Sequence, residues 1–345
     1  MNYTLQDLGF SPYFEDQIKG SLLKVGRVAT ATNEQYKIFS PDGVFHATIL
    51  GKIRYLAEGV RDLPCVGDWV LYEQLGYDDH AIIHQILERK SLLSRKVPGN
   101  EQKEQIMASN VDTVFLVNAL NSDFNLRRME RYLFLVYESG ATPVFVLTKK
   151  DLCENVNDKI SSVQSIAPGV AVVAVDSITG NGYEQILPLL STGKTVSLLG
   201  SSGVGKSSMI NRLFERDIQR IKEVRHQDDK GKHTTTHREL FVLGEGRIII
   251  DTPGMRELQL WGTGDTMFDA FQDIEEFANH CQFTDCKHQT EPKCAVKQAI
   301  EDGKLDEDRL NSYRKLEREL IRLERKEKFG THRANKLQYK DMKKR

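Results

Sequence analysis

The chain has 345 residues, which at about 150 residues per domain points to two or three domains. Its 48 Lys and Arg nearly cancel its 49 Asp and Glu, but residues 325–345 hold nine of the basic and two of the acidic side chains, leaving 39 against 47 on an acidic body. A hydrophobic share of 39% can build cores and excludes disorder throughout, and no apolar run approaches the roughly 18 residues of a membrane span. The first ten residues lack the basic and apolar regions of a signal peptide. Five cysteines, three of them within fourteen residues, argue for a metal site and not a disulfide framework, so the expected setting is the reducing cytoplasm.

In chain order, residues 1–20 carry little pattern and read as an N-terminal extension. Residues 21–95 break into short alternating stretches, such as Val44-Phe45-His46-Ala47-Thr48-Ile49 and Asp68-Trp69-Val70-Leu71-Tyr72. Pro41-Asp42-Gly43 and Gly67-Asp68 punctuate them, the pattern of a small β-barrel. Aromatic and basic residues interleave there (Tyr36, Phe39, Phe45 and Tyr55 among Lys37, Lys52 and Arg54), which suits RNA, although core packing is the commoner use of any one ring. Ser91–Gln105, polar and basic around Pro98-Gly99-Asn100, reads as a linker.

From 96 to 262 the rhythm changes. Continuous apolar strands at Val114–Val117, Pro143–Leu147, Val170–Val175, Val196–Leu199 and Arg247–Ile250 alternate with helices, the first predicted over about 126–138. This is the pattern of an α/β domain whose mostly parallel sheet is covered on both faces. Residues 263–325 turn helical around the cysteine cluster, and Leu305, Tyr313, Leu316, Leu320 and Leu323 share one helix face that reads as a docking stripe. Residues 326–345 form the basic tail.

The chemistry concentrates in the α/β segment. Gly200-Ser201-Ser202-Gly203-Val204-Gly205-Lys206-Ser207, followed by Ser208, matches the phosphate-binding loop G-x-x-x-x-G-K-[ST] between a strand and a helix. Its glycines free the backbone amides to cradle phosphate oxygens, Lys206 supplies a cation, and the Ser207 hydroxyl suits magnesium. At the end of an earlier strand, Thr148-Lys149-Lys150-Asp151 resembles the N-K-x-D guanine motif of GTPases, in which the carboxylate of Asp151 accepts from the guanine ring N–H and amine together. Asp251-Thr252-Pro253-Gly254 matches the D-x-x-G switch, with Asp251 toward a magnesium water and the Gly254 amide toward the γ-phosphate. GTPases ordinarily place the base motif last, and here it precedes the phosphate loop. The chain therefore looks like a circularly permuted GTPase, a rearrangement allowed where a domain's termini lie close together.

Between phosphate loop and switch, the polar run Asp228–His237 contains the threonine expected to cap magnesium. Thr235 is the candidate by analogy, with Thr234 and Thr236 as alternatives. The residue after D-x-x-G is Met255, whose thioether cannot orient water, so hydrolysis draws on another group or on a partner. His233 is the candidate catalytic residue, against the alternative that it is a loop residue facing solvent or a partner. Hydrolysis by the protein alone is expected to be slow. Farther on, Cys281-x4-Cys286-x-His288-x5-Cys294 offers the four-ligand set of a closed structural zinc site, and Cys65 and Cys153 stand apart from it.

Together the permuted order, the GSSGVGKSS loop, HTTT, DTPGMRE, the cysteine cluster and Val66-Gly67-Asp68-Trp69-Val70 resemble the ribosome small-subunit-dependent GTPase A family (RsgA/YjeQ) over about residues 20–325. The resemblance implies an OB-fold barrel, a circularly permuted P-loop GTPase domain and a C-terminal helical zinc domain. It implies a magnesium-dependent GTPase that binds the nearly mature 30S subunit and its rRNA, is stimulated by it, and leaves as the GDP form. Departures are Thr148 for Asn and Asp176-Ser177 for the usual base-contacting Ser-Ala, which puts Ser177 or backbone amides against the base. A monomer is expected, with no membrane partner. The readings from other classes are an RNA-binding adaptor that uses nucleotide only for structure, opposed by Lys206, Ser207 and Asp251, and a P-loop enzyme acting on a small molecule, such as a kinase, which no substrate-domain signature supports. The basic tail is the clearest electrostatic candidate for RNA phosphate. Deleting Lys326–Arg345 is expected to weaken subunit affinity in a salt-sensitive way while sparing GTP binding, measured by co-sedimentation with small subunits and by nucleotide titration.

Overall fold

The computed structural model describes residues 3–32, 34–76, 78–97, 103–217, 238–252, 264 and 266–342. The segment that reads as an extension is a packed arm. Its short helix α1 (Pro12–Ile18) opens with a proline, and Leu8 and Phe14 are fully buried against the barrel. Periodicity could not reveal this because single apolar residues anchor the arm, with no repeating face.

Strands β1 (Lys24–Thr32), β2 (Gln35–Ser40) and β3 (Gly43–Ile49), the short helix α2 (Gly51–Leu56), and strands β4 (Trp69–Gln74) and β5 (His80–Ile86) make the barrel. The pairs β1–β2, β2–β3, β1–β4 and β4–β5 are antiparallel and β3–β5 is parallel, so five strands close on themselves. Alternate residues fill the inside, including Val28, Ile38, Phe45, Val70, Tyr72 and Ile83. Of the four aromatics read from the sequence, Tyr36, Phe39 and Phe45 are core, whereas Tyr55 on α2 is 87% exposed.

The segment that reads as a linker holds a hairpin instead, β6 (Leu92–Lys96) against β7 (Glu104–Ser109), with its Pro98-Gly99-Asn100 turn signal outside the described residues. A bulge between Leu93 and Ser94 breaks the alternation, and the basic Arg95 and Lys96 mimic a solvated stretch. Glu104, buried, forms two hydrogen bonds with the Arg61 guanidinium and so ties the hairpin to the barrel. The joint is completed by a main-chain bond from Ser109 N–H to the Val66 carbonyl (3.0 Å) and by the Asn110 side-chain amide, which donates to the Gly67 carbonyl (3.1 Å).

The second layer system follows as β8 (Thr113–Ala119), α3 (Leu126–Ser139), β9 (Thr142–Thr148), α4 (Val156–Ile166), β10 (Ala171–Ala174), α5 (Tyr183–Ile186), β11 (Thr195–Leu199), α6 (Lys206–Asp217), β12 (Glu239–Val242) and β13 (Ile248–Asp251). The order across the sheet is β10-β9-β8-β11-β13-β12, parallel except for β12. Val114 and Leu116 on β8 pack with α3 and α4, while Phe115 and Val117 pack with α5 and α6. Burial on both faces is the reason these strands read as unbroken apolar runs. One residue pair, Thr30 with Glu239, joins β12 to β1, so barrel and sheet share one hydrogen-bonded network.

Helices α7 (Met267–Ala270), α8 (Gln272–Ala278), α9 (Ala295–Glu301) and α10 (Glu307–Met342) enclose a third core. The apolar stripe of α10 is part of that core and is not a free docking face: Leu316 and Leu320 are buried and Tyr313 donates to a Glu275 carboxylate oxygen at 2.8 Å. The basic tail continues α10 to Met342. α3 is the wall shared with the sheet, because its Phe134 is buried in the helical core while Tyr132 and Leu133 face the strands. Ion pairs reinforce that wall. Arg309 (3% exposed) meets the fully buried Glu130 at 3.0 Å and Asp273 at 2.8 Å, and Arg131 meets Glu319 at 2.7 Å. Burial pushes the Glu130 carboxyl up, and Arg309 and Arg127 pull it back. Arg309→Met is expected to cost about 3 kcal/mol by leaving a buried charge half-compensated. Adding Glu130→Gln should restore part of it, as read from denaturant unfolding of the two variants.

Candidate functional site

The phosphate loop leaves β11 at Gly200, where a Cβ would lie 2.3 Å from the Val117 carbonyl oxygen of β8, so only glycine lets the loop start there. Gly205 adopts φ +99°, in the left-handed region, immediately before α6 begins at Lys206. The twelve-residue α6 points its N-terminus into this turn, and the loop amides and helix dipole together suit an anion. Val204 is buried and anchors the loop, whereas Ser202, Gly203, Ser207 and Ser208 are exposed at its rim. The Lys206 ammonium is 7% exposed and donates to the Gly200 and Ser201 carbonyls at 2.7 and 2.8 Å. Burial pushes its pKa down to about 8, against the opposing pull of Asp251.

The candidate base loop ends β9, next to β8. Thr148, 1% exposed, donates its hydroxyl to the Val204 carbonyl of the phosphate loop and lies 3.3 Å from the Asn118 carbonyl oxygen. The threonine thereby joins the two loops, which is what a buried polar side chain at this position can do without an amide. Lys149 takes φ +57° and turns the chain sharply, and the Lys150 main-chain N–H bonds the Val175 carbonyl at 3.2 Å. The Lys150 ammonium reaches the Asn181 side-chain oxygen at 3.1 Å, and Asp151 is exposed beyond it. In the neighbouring loop the Asp176 carboxylate accepts from Ile178 N–H at 2.8 Å and from the Thr179 N–H and hydroxyl. These bonds, the Thr179 hydroxyl first, hold its pKa below the usual carboxylate value. Asp176 is thus used inside its own turn, and Ser177 shares a 2.8 Å hydrogen bond with the Tyr183 hydroxyl.

Asp251 ends β13, with β8 and β11 lying between it and the base-loop strand β9, and the adjoining Thr252 donates to the Leu198 carbonyl of β11, fixing the strand end beside the phosphate loop. His233, Thr235 with its neighbours Thr234 and Thr236, Gly254 and Met255 lie outside the described residues. Sequence reasoning missed Tyr132. From the middle of α3 its buried hydroxyl lies 3.4 Å from that of Ser201, linking the phosphate loop to the helix that carries the C-terminal core. A tyrosine in an amphipathic helix gives no sign of such a contact.

The four residues of the cysteine cluster come together. Their ligand atoms all lie within 4.8 Å of one another, with Cys281 Sγ 3.8 Å from Cys294 Sγ and His288 Nδ1 at 3.6 and 3.4 Å from those two sulfurs. Around a tetrahedral ion with bonds of about 2.3 Å to sulfur, sulfurs stand roughly 3.8 Å apart, so the set could hold a metal ion. His288 reaches its place with φ +57°, and its carbonyl accepts from Arg314 of α10. Cys294 is buried at the start of α9. Cys65 and Cys153 are not part of the cluster. Among the described residues, no helix is long and apolar enough to cross a membrane.

Comparison with known proteins agrees with this geometry. A family model described as RsgA GTPase matches residues 86–261. Small ribosomal subunit biogenesis GTPase RsgA 1 of Oceanobacillus iheyensis is 46% identical over 309 residues, 89% of this chain and 88% of that protein. The RsgA of Methanosarcina acetivorans is 38% identical over 97% of this chain and 88% of its own length. The crystal structure of YjeQ from Thermotoga maritima superposes with a TM-score of 0.64 at 27% identity, covering 87% of this chain and 99% of that one. YloQ, described as a circularly permuted GTPase, superposes at 0.61 with 28% identity over 88% and 96% of the two chains. With its base-loop strand placed ahead of its phosphate-loop strand in one parallel sheet, the chain belongs to the RsgA GTPase family.

Proposed function

We propose that this chain is a GTP hydrolase acting late in assembly of the small ribosomal subunit, which it binds through rRNA and leaves after hydrolysis. The observation that carries the reading is the bond from Thr148 to Val204, which unites a guanine-type loop and a phosphate loop in one site. In this reading Asp151 accepts from the guanine edge, Lys149 covers the base plane, Lys150 braces the loop through Asn181, and Ser177 or the amides beside it meet the base carbonyl. Gly200 to Gly205 offer amides to the α- and β-phosphates, and Lys206 exchanges its two carbonyl partners for phosphate oxygens. Ser207 and Thr235 would hold magnesium, with Asp251 on one of its waters, and the ion would neutralise charge developing on the phosphates. Gly254 is assigned to the γ-phosphate. His233 is assigned to the attacking water because Met255 cannot orient it. Cys281, Cys286, His288 and Cys294 are assigned to one structural zinc.

The units are proposed as the arm 1–20, the barrel 21–95, the GTPase domain 96–262, the zinc domain 263–325 and the basic tail 326–345. RNA contact is assigned to the barrel, where Tyr55 is exposed on the same short helix as the exposed Lys52 and Arg54, and to the tail. A cytoplasmic monomer fits this role. GTP turnover measured with and without purified small subunits is expected to rise strongly with subunits and not with ATP as substrate. Turnover unchanged by subunits would refute the assignment.

The depressed Lys206 pKa gives a pH dependence with a definite sign. Phosphate favours the charged lysine, but in the nucleotide-free site the proton is lost above about pH 8, below the ordinary 10.5. Between those values nucleotide binding takes up a proton, and affinity falls as pH rises, by at most about tenfold per unit. Calorimetry at pH 8.5 in buffers of different ionisation heat is expected to detect that uptake, and Lys206→Met should abolish it.

A further inference from the structure

At the end of the parallel sheet opposite the phosphate loop lies a second cavity, of about 520 Å³, where the N-terminal arm, the barrel and the GTPase domain meet. Thr113 and Thr142, the first residues of β8 and β9, mark its position. Its lining includes Arg27, Trp69, Asn110 and Asp112, with Lys90 and Lys194 exposed and Arg27 and Trp69 buried.

The cavity is rich in donors and positive charge. Arg27, 1% exposed, donates to the carbonyls of Leu8 (2.6 Å), Gly67 (3.2 Å) and Asn110 (3.1 Å), and has no ion pair among the described residues. Its guanidinium lies 5.4 Å from the centre of the Trp69 ring. The indole N–H of Trp69 is buried and has no hydrogen-bond partner among the described residues. The Lys90 ammonium stands 5.1 Å over the Phe14 ring and 5.6 Å over Tyr13, and among the described residues it too has no ion pair. Lys194 is paired with Asp112 at 3.1 Å. Arg27, Lys90 and Lys194 thus face the Asp112 carboxylate, with Asp68, itself paired with Arg89, also acting on Arg27. The excess positive charge, and a buried donor left without an acceptor among the described residues, cost free energy unless something supplies one.

We propose that this inter-domain cavity binds a small oxyanion carrying two or more negative charges, held by Lys90 and Lys194 at the mouth and by Arg27 and Trp69 deeper in. Such a ligand balances the excess charge and touches the barrel and the GTPase domain at once, at a distance from the nucleotide. A singly charged phosphodiester within a polymer fits less well, because its neighbours along the strand would keep it at the exposed lysines. The inference is independent of the function proposed above.

The chain contains two tryptophans, so Trp261→Phe leaves Trp69 as the reporter. The full-length variant is saturated with GDP in magnesium-free buffer, which fills the phosphate loop, and titrated with pyrophosphate at constant ionic strength. A saturable change in Trp69 fluorescence is expected, with the dissociation constant raised at least tenfold by Lys90→Gln and by Lys194→Gln in proteins that still bind GDP. A ten-nucleotide single-stranded RNA should fail to reproduce the change. No saturable response, an equal response in both lysine variants, or the same response with the RNA would each overturn the proposal.

Discussion

Parallel pairing of β8 with β9 on one side and β11 on the other is the constraint on which the candidate nucleotide site depends. Parallel strands end on the same edge of the sheet, so the loops that follow them emerge together whatever their separation in the chain. Thr148 and Val204 are 56 residues apart and share a hydrogen bond for this reason. Close approach of Gly200 to the Val117 carbonyl is a second consequence, because β8 forms the floor beneath the phosphate loop. The same pairing explains why permuting the chain leaves the site intact: sheet order is set by side-chain burial and ladder bonds, neither of which depends on where the polypeptide is opened.

α3 extends that constraint outward. One side of this helix packs on the strands and brings Tyr132 to Ser201, and the other carries Phe134 and Glu130 into the helical core. The phosphate loop and the C-terminal helical core therefore both contact this one helix. Permutation adds a covalent route, since the chain leaves β13 at Asp251 and reaches Cys281 thirty residues later. The barrel is joined to the sheet differently, through the Asn110 amide and the Arg27 guanidinium donating to main-chain carbonyls at Gly67 and Asn110, so the two flanking units meet the central sheet by contacts of different character.

Much of the site was legible because its chemistry requires contiguous residues. A loop that wraps phosphate needs glycines and a lysine at set intervals, and a tetrahedral metal set needs closely spaced cysteines and a histidine, so Gly200–Ser207 and Cys281–Cys294 identify themselves. The strands were legible where burial on both faces removes polar residues, as in β8 and β9. What could not be read has in common that one residue, and not a pattern, makes the contact. Leu8 and Phe14 anchor the arm singly, the Leu93 bulge conceals β6, and Thr148 looks like a weakened asparagine until its hydroxyl is found on Val204. The stripe on α10 was legible as one apolar face, but it read as a docking surface, and only packing shows that it closes the helical core.

By itself, the sequence determined the three kinds of segment, the order of the nucleotide motifs and the candidate residues for phosphate and metal, because these follow from local spacing and composition. Only the tertiary structure decided that Asp176 is used within its own turn, that Glu130 is buried against Arg309, and that the arm, barrel and sheet leave a charged cavity between them. Each of those depends on which distant groups are brought together after water is removed, and that is settled by packing and desolvation, which no local pattern encodes.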